Sequence, residues 1–307
     1  MLKSATMWSM ALGCVVALGS AGDALAGVDV DIDGNIAHAL ISLDDGIGNT
    51  FGAEVTITFD TPVNLSAKTL NLTADLIGPS DPAITSRLPP GEAVLSDFPM
   101  MVTVEPPQRD CVFCTEFEGV EDGSGILRFK NEYEIEIHTH DLPFTTDTAL
   151  RLLKAPLAGN FVNYTSDILP GSVRMRGRDG AFSQFLVGTE GQCSQWLVPL
   201  LLEAIAQRLV LLTRLLASAI DDVLRLDLIG LLDDVLTDLV AILLDVTGAI
   251  ANLDEFIFKV QANAGTGIPN AWDAEHTQPN DTGELLGLAQ ALRYTLVRLQ
   301  SAPLLCL

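Results

Sequence analysis

Histidine is scarce in this chain, with four in 307 residues, and two of them, His138 and His140, stand two apart. In a strand that spacing puts both imidazoles on one face. Asp141 follows directly, and Glu132, Glu134 and Glu136 continue the row upstream. Imidazole with carboxylate is a donor set that suits zinc. His138, His140 and Asp141 are therefore the candidate metal ligands, and a metal-dependent hydrolase is the enzyme they would support. Such a site needs further ligands, and only His38 and His276 remain as imidazole donors. The bland reading is the solvated face of a strand, with Tyr133, Ile135 and Ile137 turned to the core.

Arg174, Arg176 and Arg178 form a matching cationic row. Three cations on one face could receive an anion. Cross-strand pairing with Glu132, Glu134 and Glu136 is preferred, and it predicts that the two strands are neighbours. A second candidate cation site begins at Asp29-Asp31-Asp33-Gly34, which matches the start of a calcium loop. The twelfth position of that loop is Leu40, where a bidentate carboxylate belongs. A weaker calcium site would borrow Asp44 or Asp45. The alternative is an outward aspartate row followed by a hairpin turn.

Other chemistries are less well supplied. Cys111-Val112-Phe113-Cys114 has redox spacing, but Pro106-Pro107 precede it and a strand-like run follows, whereas reactive pairs open helices. No Gly-x-Ser-x-Gly elbow and no phosphate-binding glycine loop occurs.

The elements that must position these residues fall into three segments. Residues 1–26 read as a secretory signal peptide: Lys3, an apolar stretch from Met7 to Leu18, then Ala24-Leu25-Ala26 as a cleavage pattern. Export permits disulfides. Cys111 with Cys114 and Cys193 with Cys306 is the favoured pairing of the four cysteines that remain.

Residues 27–192 carry short alternating segments punctuated by Gly, Pro and Asp, including Val28–Asp33, Glu54–Phe59, Thr69–Leu76 and Phe113–Val120. They predict an antiparallel β-sandwich. Ser172–Arg178 and Ala181–Val187 read as its last hairpin, and Leu150–Leu157 as a strand or a short helix. Residues 193–307 predict a Leu-rich helical bundle, so the fold class is α+β. No proline occurs between Pro199 and Pro269, and Glu203, Gln207, Arg214, Ser218 and Arg225 recur on one helical face. Breaks near Asp221 and Gly248 would make four helices, the last opened by a capping box from Asp281 to Glu284.

Composition sets the function classes. With 40 acidic against 17 basic residues the net charge is -23, which leaves no cation surplus for nucleic acid. Charges interrupt each long helix, so no integral membrane span of about 18 uncharged residues is expected in the mature chain. The wide apolar helix faces could serve a homo-oligomer or a protein partner. These features describe an exported protein, secreted or periplasmic, that is non-catalytic and acts in structure or binding. Metal binding through the His-x-His strand is one alternative, and binding of lipid or a hydrophobic ligand by the helices is another.

Overall fold

The computed structural model describes residues 27–108, 125–143, 148–169, 171–191, 196–241 and 244–303. The expected signal peptide, the strand at 113–120 and Cys111, Cys114, Cys193 and Cys306 lie outside them. Within the described residues, antiparallel sheets occupy the N-terminal part and helices the C-terminal part, in an α+β arrangement. In chain order the elements begin with β1 (Gly27–Asp33), β2 (Ile36–Asp44), β3 (Thr50–Phe59) and the single turn α1 (Ala67–Leu70). Next come β4 (Leu72–Leu76), α2 (Pro82–Thr85), β5 (Glu92–Val94), β6 (Met100–Val104), β7 (Arg128–Lys130) and β8 (Tyr133–Pro143). They continue with β9 (Leu150–Ala155), β10 (Val162–Asn163), β11 (Thr165–Leu169), β12 (Ser172–Asp179) and β13 (Gln184–Glu190). The C-terminal part holds α3 (Leu197–Ala217), α4 (Asp222–Val240), α5 (Val246–Ala262), β14 (Ala271–Asp273) and α6 (Asp281–Gln300).

One sheet runs β1-β2-β3-β8-β12-β11, and a second runs β10-β9-β13-β6-β4 with β5 on β13. Alternation gives each sheet an apolar face, and the two faces share one core. Ala39, Ile57, Ile137 and Met175 come from the first sheet, and Ala74, Val102, Leu152 and Phe185 from the second. The β1–β2 turn is Gly34-Asn35, with Gly34 at φ +60°, where the missing side chain removes the steric cost. Asp29, Asp31 and Asp33 are exposed on β1, as is Gly27. The aspartates form an outward row that leads into the hairpin turn.

The charge ladder forms as the spacing predicts. β8 and β12 are antiparallel neighbours, with Glu136 opposite Arg176 and Glu134 opposite Arg178. Arg176 Nε lies 2.7 Å from Glu136 Oε2, and Arg178 reaches both Glu134 and Glu132 at 2.8 Å. Arg174 stands opposite His138 instead.

Several expectations are corrected. Ser172–Val187 is no hairpin: β12 belongs to the first sheet and β13 to the second. Gly180 and Ala181 donate to Asp179 Oδ1, at 2.5 and 3.3 Å, turning the chain out of the first sheet. Leu150–Ala155 is a strand, and all six of its residues are buried, so it lacks the alternation that marks a one-sided strand. Thr69 and Leu70 belong to a helical turn, capped by Ser66, before the strand begins. α6 is capped by Asn280, which accepts from Gly283 N, so Asp281 is its first residue and not its cap. Among the described residues of the C-terminal part four helices form, and the break expected near Gly248 falls just before Asp245, which caps α5.

α6 is the central helix. It packs on α3 and α5 and lies across β11 and β12. Glycine makes that approach possible. A Cβ on Gly283 would stand 2.5 Å from Gly180 Cα, and one on Gly287 would overlap the Arg178 carbonyl. The border is crossed in sequence too, because β14 pairs with β7.

Gly287→Ala tests the contact. At an open helical site alanine would add about 1 kcal/mol of stability. Here we expect a loss of about 1–3 kcal/mol, from backbone displacement, read by chemical denaturation. The ladder has its own test. Arg176→Glu is expected to cost about 1 kcal/mol, and adding Glu136→Arg to restore part of it. A double variant no more stable than the single one would show that the pairing contributes nothing.

Candidate functional site

The His-x-His strand lies where the spacing puts it, on β8. His138 and His140 rings stand side by side with centroids 4.6 Å apart. Their surroundings are those of a satisfied strand. His138 Nδ1 is 3.0 Å from Glu54 Oε2, and Nε2 is 2.5 Å from Ser172 Oγ. The Asp141 carboxylate accepts from Gly52 N at 2.9 Å. Hydrogen bonding to His138 holds Glu54 below the usual carboxylate range. Among the described residues no group of three or more His, Cys, Asp or Glu is placed to hold a metal ion.

A different cluster forms where β5, β9, β13 and α3 meet. Arg151 lies on β9 and is fully buried. Its Nη2 binds Glu190, its Nη1 donates to the Leu150 carbonyl at 2.7 Å, and its Nε is 3.6 Å from Glu203 Oε1. Glu190 ends β13 and stands directly opposite Glu92 of β5. Two like charges at that spacing repel. Glu203 comes from α3, and its Oε1 accepts from Asn163 Nδ2 at 2.6 Å, Thr295 Oγ1 at 3.3 Å and Gln207 Nε2 at 3.4 Å. Three carboxylates thus share one arginine.

Burial and mutual repulsion set the protonation of Glu92 and Glu190. Burial pushes Glu92 up to about 8, reinforced by Glu190 and opposed by Arg151. Burial also raises Glu190, to about 7, with Arg151 opposing and Glu203 reinforcing. At neutral pH the Glu92–Glu190 pair therefore retains protons that free carboxyl groups would lose.

This cluster forms part of the wall of a cavity of about 740 Å³. Its polar side includes Glu92, Glu190, Glu203, Gln207 and Arg87, and its apolar side Leu202, Val210, Phe161, Pro89 and Leu288. The Arg87 guanidinium is already held by the Gly159 and Pro156 carbonyls and by Gln184. Among the described residues eight buried side-chain polar atoms lack a hydrogen-bond partner. Four belong here: Glu92 Oε2, Glu203 Oε2, Gln207 Oε1 and Arg151 Nε. Of the three residues that line the cavity, all leave an acceptor short of a donor. Orphan groups are expensive in a folded protein, so their concentration at one cavity marks it for a ligand or ordered water.

A second cavity, of about 750 Å³, adjoins the charge ladder between Asp60, Asn131, Glu132, Arg178 and Asn270. Its polar groups mostly satisfy one another: Arg178 with Glu132, Asn131 with Asp60 and Asn270 with Asn131.

None of the cavity's charged residues belongs to a local motif, because they arrive from four elements. One signal was available. Arg151 and Lys154 interrupt an otherwise apolar run, and a charge inside a fully buried strand needs a partner. α3 gives the same lesson. Glu203, Arg214 and Ser218 do share a face, but it turns inward, and Leu202, Leu209 and Leu216 face outward.

A family model described as a family of unknown function (DUF6689) matches residues 10–300, and the chain belongs to that family. No curated protein and no solved structure matches. No helix among the described residues is long and apolar enough to cross a membrane.

The raised carboxyls fix a pH dependence. The folded state holds the Glu92 and Glu190 protons up to about 8 and about 7, from an ordinary value of 4.5. The unfolded chain releases them earlier, so their contribution is complete below about 4.5 and is lost as pH rises to about 8. The thermal midpoint is expected to fall across that window, and less steeply in Glu92→Gln. Parallel curves for the two proteins would contradict the assignment.

Proposed function

We propose that this is an exported, non-catalytic binding protein, secreted or periplasmic, whose two sheets form a sandwich that supports a ligand cavity against α3. Its ligand is a small amphiphile with an apolar body and a donor-rich, cationic head such as a primary ammonium. The observation that carries this reading is the acceptor-only imbalance of the cavity wall: Glu92, Glu203 and Gln207 each leave an oxygen without a donor. A proton can relieve that imbalance, and so can an ammonium group, which brings three donors and a charge. The apolar residues opposite match a hydrocarbon body. Among the described residues that line the cavity there is no histidine, cysteine or lysine, which leaves it without the usual base–nucleophile pair. The signal-like segment at 1–26 supports the export half of the reading.

Displacement of a neutral fluorescent probe, N-phenyl-1-naphthylamine, tests the site. Dodecylamine is expected to displace it at about tenfold lower concentration than dodecanol or dodecanoate, one tenfold step being about 1.4 kcal/mol. Its advantage should grow from pH 6 to about 8.5, as the carboxyls give up their protons. Glu203→Gln should remove most of the preference while leaving probe binding intact. Absence of probe binding would overturn the cavity reading. Equal displacement by all three compounds would overturn the cationic head alone.

A further inference from the structure

The outward face of α3 carries a second pattern, independent of the cavity's charges. Val198, Leu202, Ile205, Leu209, Leu212 and Leu216 follow one another at steps of four, three, four, three and four. That is the alternating spacing of a coiled-coil seam, sustained over the length of the helix. Val198, Leu202, Leu209 and Leu216 are 56–62% exposed, and Ile205 and Leu212 are half-buried beneath them. The other exposed residues of α3 are Pro199, Ala206, Thr213 and Ala217. Not one charged residue faces solvent along this helix. The neighbouring α4 exposes Asp222, Asp227, Asp233 and Asp234.

We propose that α3 pairs with the α3 of a second copy of this chain, forming a two-fold symmetric dimer along the seam. The self-complementary seam selects the occupant, and electrostatics selects the face. Two copies of a chain with net charge -23 repel over most of their surface. The α3 face is where they approach without setting carboxylate against carboxylate. A basic partner would find no charge to complement there. A heptad seam is self-complementary, because each leucine that projects from one helix fits between those of its twin, and a two-fold contact uses the same patch on both copies. Small residues beside the seam, Ala206 and Thr213, allow the helices to come close. Leu202 also lines the cavity, so the partner's helix passes along the cavity's outer edge.

Sedimentation velocity of the purified full chain at micromolar concentrations tests the dimer. Wild type is expected to sediment as a dimer. Leu209→Glu should weaken association by about 30-fold or more and give a monomer, since a charge in the seam centre would face its twin. Leu226→Glu, at a leucine on α4 that is even more exposed, should remain dimeric. Circular dichroism should report the same helix content in all three proteins. A monomeric wild type would overturn the proposal, as would a Leu209→Glu protein that dimerises like wild type. A monomer that floats with phosphatidylcholine vesicles would assign the face to lipid and overturn it likewise. Probe binding in the cavity by a monomeric protein would leave the ligand reading standing.

Discussion

The backbone of α6 lies directly against the end of β12, and the rest of the molecule is arranged around that contact. Gly180, Gly283 and Gly287 stand where any side chain would force the two apart. Close approach brings a cost, because it covers the polar end of β12 with a helix. Asp179 is buried there, and Lys154 from β9 neutralises it. Burial raises the Asp179 carboxyl to about 6, against the pull of Lys154. The Lys154 ammonium also stands 5.2 Å from the Tyr164 ring centre. Removing one member of such a pair leaves an uncompensated buried charge, typically costing about 3–5 kcal/mol. The pair therefore constrains where the helix sits more than it adds to net stability.

Once α6 is in place, the inward polar face of α3 has a reason. Arg214 reaches across to α6, holding Asp281 at 2.5 Å and Glu284 at 2.6 Å. Asp281 also accepts from Ala219 N, at the end of α3. Arg208 donates to the Leu232 carbonyl at 2.9 Å and binds Asp233, fastening α4 to α3. The chain has only 17 basic residues, and Arg151, Lys154, Arg208 and Arg214 are spent at contacts between elements. Among the described residues much of the remaining acidity, Asp222, Asp227 and Asp234 of α4 included, faces solvent, where hydration is cheap.

Much of the β pattern was legible, for a simple reason. β1, β2 and β8 have one wet face, so Val28–Asp33 and Tyr133–His140 alternate visibly, and the ladder from Glu132 to Arg178 could be written down before any coordinates. The same rule fails where both faces are covered. β9 is buried throughout and reads equally as helix. The breaks near Asp221 and Gly248 made the number of helices legible, but the facing of α3 was not. Polar residues on a common face look the same whether they meet water or buried carboxylates, and only tertiary partners decide between them. The cavity was illegible because Glu92, Arg151, Glu190 and Glu203 are 59, 39 and 13 positions apart in sequence and meet only when three strand ends reach α3.

That meeting point follows from the inversion of α3. A helix that turns its charges inward must have carboxylates or cations waiting for it. Near its C-terminal end, Arg214 finds the acids of α6 and is satisfied. Nearer its N-terminal end, Glu203 finds Arg151, which Glu190 already holds, with Glu92 behind. One guanidinium cannot satisfy three carboxylates, so the surplus of acceptors at the cavity is a consequence of how the helix docks. The outward leucines are the other half of the same choice. With its charged residues committed to the interior, α3 has only uncharged and mostly apolar ones left to show, and an apolar face of that length favours cover over water.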